Sequence, residues 1–254
     1  MLGKNITIRG IFTSILFITM GFSQVSLEIA NVDTVAGTMD IYMTNATGCS
    51  YCPDSTYNNN TIGWSEKKAV CESSDAGDTT WVSYNSELDS LGCAAVPSLS
   101  GNGGWWFDGE VGGFQFQILG AAITGATGGS ASEVGFTVST SPEDPITTGS
   151  NGIPNVLAFS LTGATIPVGS NVLLTQITFT TFLSSSICFG EDTGPGLTGN
   201  NIISDSVGGY VGATWGGCYC VADSDVGGGD GVCDTVDNCP AVVNSNQLDT
   251  DDDG

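Results

Sequence analysis

Apolar and polar residues alternate in several short segments, the pattern of β-strands that bury one face. The alternation begins at Val25–Ile29 and Met39–Met43, with turn-forming residues between them at Asp33–Gly37. It stops near Asn45 and resumes in four later segments: Phe114–Ile118, Phe136–Val138, Val156–Leu161 and Leu174–Phe179. Gly- or Pro-containing turns are predicted at Gly125–Gly129, Pro142–Asn155 and Ile166–Gly169. Many short strands with such spacing predict an all-β fold, specifically a sandwich.

Composition supports that prediction and excludes several functions. Only 12% of the 254 residues are charged and 37 are Gly, whereas long solvated helices need Lys and Glu. Lys and Arg total 4 against 27 Asp and Glu, for a net charge of −23, so we expect no nucleic-acid partner. The chain has no histidine, which excludes Ser-His-Asp and Cys-His catalysis as well as His-ligated zinc and haem.

The N-terminus has the pattern of a secretory signal peptide. Lys4 and Arg9 accompany the mostly apolar run Ile11–Met20, and small residues follow at Gly21–Ser23. An uncleaved anchor would need about 20 apolar residues, and the run is shorter. We therefore predict a signal peptide over residues 1–23, no membrane span, and a secreted or cell-surface product.

Two stretches carry a resemblance to a known fold family. The sequences "GGFQFQILG" and "VLAFSLTGATIPVG", preceded by "LEIANVDTVAGTMDIYMTN", resemble the cohesin-like and carbohydrate-binding-module-like sandwiches of secreted bacterial proteins. The resemblance covers about residues 25–45 and 112–182 and implies a jelly-roll β-sandwich over 24–221. In cellulosomes the related fold binds dockerin modules, and such sandwiches have many roles. The resemblance therefore implies that the sandwich is a domain that binds a protein or a glycan.

An insertion over residues 46–111 interrupts the predicted sandwich. It contains Cys49, Cys52, Cys71 and Cys93, which allow three disulfide pairings. The Cys49-x-x-Cys52 spacing is also compatible with zinc or a thioredoxin-like site. Zinc would need Cys71 and Cys93, which do not form a second such pair, and a redox site would need a βαβ context. In an exported chain, structural disulfides are the favoured interpretation.

Five further cysteines lie near the C-terminus, which makes the total of nine odd. Cys188 and Cys218 are predicted to join at the end of the sandwich. Cys220, Cys233 and Cys239 lie in or beside an acidic tail. Cys218 and Cys220 are too close in sequence to bridge to each other comfortably.

Aromatic residues are concentrated in the insertion, which holds Trp64, Trp81, Trp105 and Trp106. They could form a stacking platform for sugar rings or a partner, or the small core of a disulfide-linked subdomain, which is the favoured interpretation. Trp105, Trp106 and Phe107 are the exception, because three adjacent aromatic residues on a strand cannot all face one way. These three are the candidate ligand-binding residues.

Asp108 and Glu110 follow the aromatic residues at a spacing that places both on one strand face. Glycosidases use two carboxylates, but these oppose each other across the sugar from different elements. We therefore predict no catalytic residues and no enzymatic activity.

The tail over residues 222–254 carries nine carboxylates and no cation: Asp223, Asp225, Asp230, Asp234, Asp237, Asp249, Asp251, Asp252 and Asp253. Ca²⁺ takes six to eight oxygen ligands, and D-x-D-x-D-G spacing brings alternate carboxylates to one ion. Asp249, Asp251, Asp253 and Gly254 fit positions 1, 3, 5 and 6 of such a loop. Upstream, Asp230, Gly231, Asp234 and Asp237 fit positions 5, 6, 9 and 12. The tail therefore predicts calcium binding.

The run "DGVCDTVDNCPAVVNSNQLDTDDDG" closely resembles the thrombospondin type 3 repeat. The resemblance implies that Asp230, Asp234, Asp237 and the Val232 carbonyl bind one calcium ion, and that Asp249, Asp251 and Asp253 begin the next site. Positions 1 and 3 of the first loop fall on Val226 and Gly228, which have no carboxylate and so depart from the family pattern. Asp223 and Asp225 are the expected substitutes, because the flexible Gly227–Gly229 would let them reach the ion. The family pattern would continue past Gly254, so we expect a longer protein that supplies a partner for the ninth cysteine.

These features together predict a secreted calcium-binding adhesion or binding protein. Its sandwich would recognise an extracellular protein or glycan, and its repeat would act as a calcium-stiffened spacer. Two alternatives are a carbohydrate-binding accessory region of a larger polysaccharide-degrading enzyme and a purely structural cell-surface component.

Overall fold

A computed structural model describes residues 23–58, 64–73, 79–98, 101–141, 155–182, 186–192, 201–220 and 233. Most of these residues are in β-strands, which confirms the all-β prediction. The strands are β1 Val25–Asp33, β2 Thr38–Asn45, β3 Gly48–Tyr51, β4 Val82–Asn85, β5 Pro97–Ser98, β6 Gly101–Asn102, β7 Trp105–Phe107, β8 Val111–Leu119, β9 Ala121–Thr127, β10 Thr137–Ser141, β11 Asn155–Phe159, β12 Gly169–Phe182, β13 Ser186–Phe189, β14 Ile202–Asp205, β15 Tyr210–Val211, β16 Ala213–Trp215 and β17 Tyr219–Cys220. The helices are α1 Trp64–Cys71, α2 Ser90–Ala94 and α3 Gly129–Glu133.

The first sheet has five strands in the order β16-β1-β2-β12-β9. Strands β1 and β2 form an antiparallel hairpin in which Ile29 lies opposite Ile41. Strand β12 pairs with β2 on one side and with β9 on the other. The alternation predicted at Val25–Ile29, Met39–Met43 and Leu174–Phe179 is confirmed, because all three segments lie in these strands.

The second sheet has seven strands and is organised around β8. One side of β8 pairs with β11, which pairs in turn with β10. The other side pairs with β14 along its first half and with β13 at its end. Strand β15 pairs with β14, and β17 pairs with β13.

Both sheets bury their apolar side chains in one hydrophobic cluster. Leu27, Ile41 and Ile177 enter it from the five-stranded sheet, and Phe116 and Ile203 enter it from the seven-stranded sheet. The Phe116 ring stacks on Phe114 with centroids 5.7 Å apart and meets Phe189 edge-on at 5.6 Å. Each such buried side chain contributes about 1.5 to 3 kcal/mol of transfer free energy.

The insertion has a small fold of its own. It contains a three-stranded sheet in the order β4-β3-β7, the β5-β6 pair, and helices α1 and α2. Asp89 caps α2 by accepting a hydrogen bond from the Gly92 N–H at 2.7 Å. A second hydrophobic cluster consists of Cys52, Cys71 and Trp81.

The predicted insertion boundary, at residue 111, lies inside the two-sheet body. Val111 begins β8, and both Phe107 and Val111 are buried in the main cluster. The range 46–111 therefore includes two residues of the main core.

The turn predicted at Gly125–Gly129 is wrong in its first half. Strand β9 continues to Thr127, with Gly125 opposite Thr178 on β12. A Cβ atom at Gly125 would lie 3.1 Å from the Thr178 hydroxyl, so this glycine permits close approach of two strands. The chain turns only at Gly128, where φ is +76°.

Candidate functional site

The aromatic residues of β7 divide between its two faces. In the pairing of β7 with β3, Trp105 lies opposite Ser50, Trp106 opposite Cys49 and Phe107 opposite Gly48. Alternation along the strand therefore places Trp105 and Phe107 on one face and Trp106 on the other. The three do not form a single platform.

Phe107 is only 1% exposed and belongs to the core shared by the two sheets. A side chain buried in this way offers no surface to a ligand. Its role is to pack the insertion onto the two-sheet body, and a ligand surface on β7 can include only the half-buried Trp105 and Trp106.

Trp105 packs where the insertion meets the β14–β15 hairpin of the seven-stranded sheet. It lies against the Cys52–Cys71–Trp81 cluster together with Tyr57 and Tyr210. A Cβ atom at Gly209 would approach the far edge of the Trp105 ring to 3.0 Å. Because Gly209 and Tyr210 belong to the β14–β15 hairpin, Trp105 joins the insertion to the seven-stranded sheet. Trp81 and Trp105 therefore fit the predicted small core of a disulfide-linked subdomain better than they fit a stacking platform for a ligand.

Two buried amides attach the insertion to the five-stranded sheet as well. The Asn45 side-chain N–H group donates to the Gly109 carbonyl at 2.5 Å and to the Pro167 carbonyl at 3.0 Å. The Gln24 amide donates to the Gly48 carbonyl at 2.8 Å. Both ends of the insertion are thereby hydrogen-bonded to the body.

Asp108 and Glu110 make separate local contacts. The Asp108 carboxylate accepts a hydrogen bond from the Glu110 N–H at 3.0 Å, as in an Asx turn. The Glu110 carboxylate accepts from the Thr165 hydroxyl. Each carboxylate therefore has a partner that explains its position.

The disulfides of the insertion follow one of the three possible pairings. Cys49 joins Cys93, and Cys52 joins Cys71. The Cys49-x-x-Cys52 pair is thus split between two bridges, and all four residues are buried. Structural disulfides, the favoured interpretation, are confirmed.

Two more disulfides lie at the end of the seven-stranded sheet. Cys188 joins Cys218, as predicted, and Cys220 joins Cys233. Cys220 lies opposite Ser186 in the β13–β17 pair, so the second bridge ties residue 233 of the acidic tail to the sheet. Cys239, the ninth cysteine, lies outside the described residues.

One half-buried carboxylate joins three elements of the body. Asp192 accepts hydrogen bonds from the Tyr210 hydroxyl at 2.9 and 3.1 Å and from the Trp215 indole N–H at 2.9 Å. Burial raises the pKa of the Tyr210 phenol, and the Asp192 charge and hydrogen bond raise it further. The sequence carries no pattern that relates these three residues, because they are brought together only by the folded chain.

The predicted calcium ligands lie outside the described residues. This applies to all of them: Asp223, Asp225, Asp230, Val232, Asp234, Asp237, Asp249, Asp251 and Asp253. Within the part of the chain that the structure does describe, no group of three or more acidic or cysteine residues could hold a metal ion. Across the same residues, no helix is both long enough and apolar enough to cross a bilayer.

Comparison of the chain with protein-family models, with curated proteins and with solved structures finds no match.

Proposed function

We propose that this is an exported calcium-binding adhesion or binding protein. Its body is a jelly-roll β-sandwich of the cohesin-like kind that binds an extracellular protein or glycan. Its acidic tail is a thrombospondin type 3 repeat that binds Ca²⁺ and acts as a spacer.

The observation that carries the proposal is the spacing of oxygen ligands in the tail. Asp230, Asp234 and Asp237 fit the second half of one calcium loop, and Asp249, Asp251 and Asp253 fit the first half of the next. Without a cation, these carboxylates repel one another and the tail has little apolar surface to bury. Calcium neutralises the cluster, so binding and ordering would be one event.

The disulfides support export. Four bridges are uncommon in a reducing compartment, and they agree with the signal-peptide pattern at residues 1–23. The Cys220–Cys233 bridge also attaches the acidic tail to the sheet at a position that lies, in sequence, between the proposed ligands Asp230 and Asp234.

Calorimetric titration with CaCl₂ tests the proposal. We expect binding in the range of about 10⁻⁴ to 10⁻³ M that is typical of extracellular modules, and protection of the tail from protease. Asp237→Asn should weaken the upstream site most, because position 12 closes the loop.

Two neighbouring carboxylates provide a matched control. Asp251 occupies a predicted ligand position, and Asp252 does not. Asp251→Asn and Asp252→Asn make the same charge change, so only the first should reduce binding if specific coordination is involved. Absence of binding at millimolar calcium, or equal effects of the two variants, would contradict the calcium site.

A further inference from the structure

The outer face of the seven-stranded sheet contains a groove that the β7 aromatic residues do not contact. Its floor is β8, and its walls are β11 on one side and β14 on the other. The loop at 160–164 and the turn at 205–208 close one end. The groove is an open depression of about 370 Å³.

The strand register explains why a groove forms there. Phe114 and Phe116 point into the core, so Gly113 and Gln115 point outward from β8. Gly113 lies between Phe159 on β11 and Ser204 on β14, and Gln115 lies between Leu157 and Ile202. Because Gly113 has no side chain, β8 leaves a depression between the side chains of Phe159 and Ser204 on the neighbouring strands.

The walls combine apolar and polar groups. Phe159 and Leu157 are 36% and 39% exposed, although the inward residues of β11 are fully buried. At the closed end, the Asp205 carboxylate accepts hydrogen bonds from the Val207 and Gly209 N–H groups at 2.9 and 2.6 Å. These contacts hold the carboxylate in one orientation at the groove before any ligand arrives.

We propose that this groove binds a neutral oligosaccharide. Sugar rings have an apolar C–H face, which suits Phe159 and Leu157, and hydroxyl groups, which suit the Gln115 amide and the Asp205 carboxylate. The inference depends on the proposed function, because it names the glycan class that the body would recognise.

Charge and geometry argue against three other kinds of occupant. Asp205 is the one ionisable residue that lines the groove among the described residues, and the whole chain has a net charge of −23, so an anionic ligand is repelled. An extended peptide could not add as a strand, because both sides of β8 are already paired along the groove. An amphipathic helix, about 10 Å across with its side chains, fits poorly in a depression of about 370 Å³ that is closed at one end by the 160–164 loop and the 205–208 turn.

Binding to defined glycans tests the inference on the full chain. The probes are microcrystalline cellulose and chitin in pull-downs, xylan and amylose in affinity electrophoresis, and alginate as an anionic glycan. We expect retention by at least one neutral probe and none by alginate. Phe159→Ala and Gln115→Ala should each weaken that binding at least about tenfold, with thermal unfolding within a few degrees of the wild type.

Two controls locate the site. Val35→Ala truncates a fully exposed apolar residue in the β1–β2 turn, and Leu91→Ala truncates an exposed leucine of the insertion; both should bind the neutral probe as the wild type does. Trp106→Ala tests the competing ligand surface on β7. Failure of every neutral probe, wild-type binding by both groove variants, or loss of binding in Trp106→Ala would overturn the inference. Calcium titration of the same samples separates the two proposals, because a protein that binds calcium but no neutral glycan refutes only the groove site.

Discussion

The two-sheet body and the insertion are stabilised in different ways. The body buries apolar side chains from two sheets in one large cluster, in which four phenylalanine rings form three stacked or edge-on pairs. The insertion buries a cluster of one tryptophan and two bridged cysteines, and it closes two disulfides within 45 residues of chain, Cys49 to Cys93. A segment of this size cannot bury enough apolar surface by itself, so covalent bridges replace part of the missing core.

The largest expected effect is loss of a core ring. Phe116→Ala should lower the free energy of unfolding by about 3 to 5 kcal/mol, because it leaves a cavity between the sheets. Phe107→Ala should cost a similar amount, although Phe107 lies in the insertion, because its ring occupies the same core. Urea unfolding followed by tryptophan fluorescence measures both.

Leu161→Ala is the matched control, because Leu161 is 82% exposed and its truncation should change stability by less than about 0.5 kcal/mol. A Phe107→Ala effect as small as that of Leu161→Ala would show that the insertion and the body are independent.

Loss of one insertion disulfide should have the next largest effect. Replacing Cys52 and Cys71 with alanine should destabilise the insertion by about 3 kcal/mol. The reason is that the bridge closes a loop in the unfolded chain and so lowers its conformational entropy. We expect protease to cleave the insertion of this variant while the body remains folded. Cleavage spreading into β8 or β12 at the same rate would instead mean that the two regions unfold as one unit.

The smallest expected effect is at the hydrogen bond between Tyr210 and Asp192 in the body. Tyr210→Phe removes the hydroxyl that donates to Asp192 and should cost about 1 to 2 kcal/mol at pH 7, since Asp192 keeps its bond from Trp215. Because the folded state holds the phenol proton more tightly than the unfolded state, this part of the stability is present below about pH 10 and is lost as the pH rises further.

Urea unfolding at pH 7 and at alkaline pH measures that dependence. The wild type should lose more stability than Tyr210→Phe between the two conditions, and Tyr42→Phe, which removes another strand hydroxyl, should follow the wild type. Parallel losses in all three proteins would exclude Tyr210 as the source.

Alternation made the longer strands predictable. Phe114–Ile118 alternates strictly between apolar residues and glutamine, and the structure confirms strand β8 there. Val156–Leu161 is mostly apolar, and strand β11 covers it as far as Phe159. Strand β9 was not predicted, since its small residues and Gly125 resemble a turn when the neighbouring strand is unknown. Strands β14 to β17 are too short, at two to four residues, to show any period.

Site residues were predictable only where their spacing in sequence carries the chemistry. The calcium ligands can be proposed because a loop places them in series along the chain. The groove could not be found in this way, since Gly113, Phe159 and Asp205 come from three strands and become neighbours only through the register of β8. The disulfide pairing within the insertion was likewise undetermined, because four cysteines permit three arrangements.

The parallel pair of β1 and β16 has a consequence for how the protein folds. Val25 and Ala213 are partners in the five-stranded sheet, although nearly the whole described chain separates them. The sheet therefore cannot be completed until the ribosome has synthesised almost all of this region, and pairing across such a distance is slow. Strands β2, β9 and β12 all precede β16 in the chain, so β16 is the last strand available to this sheet, and the edge beside β1 stays open until it arrives.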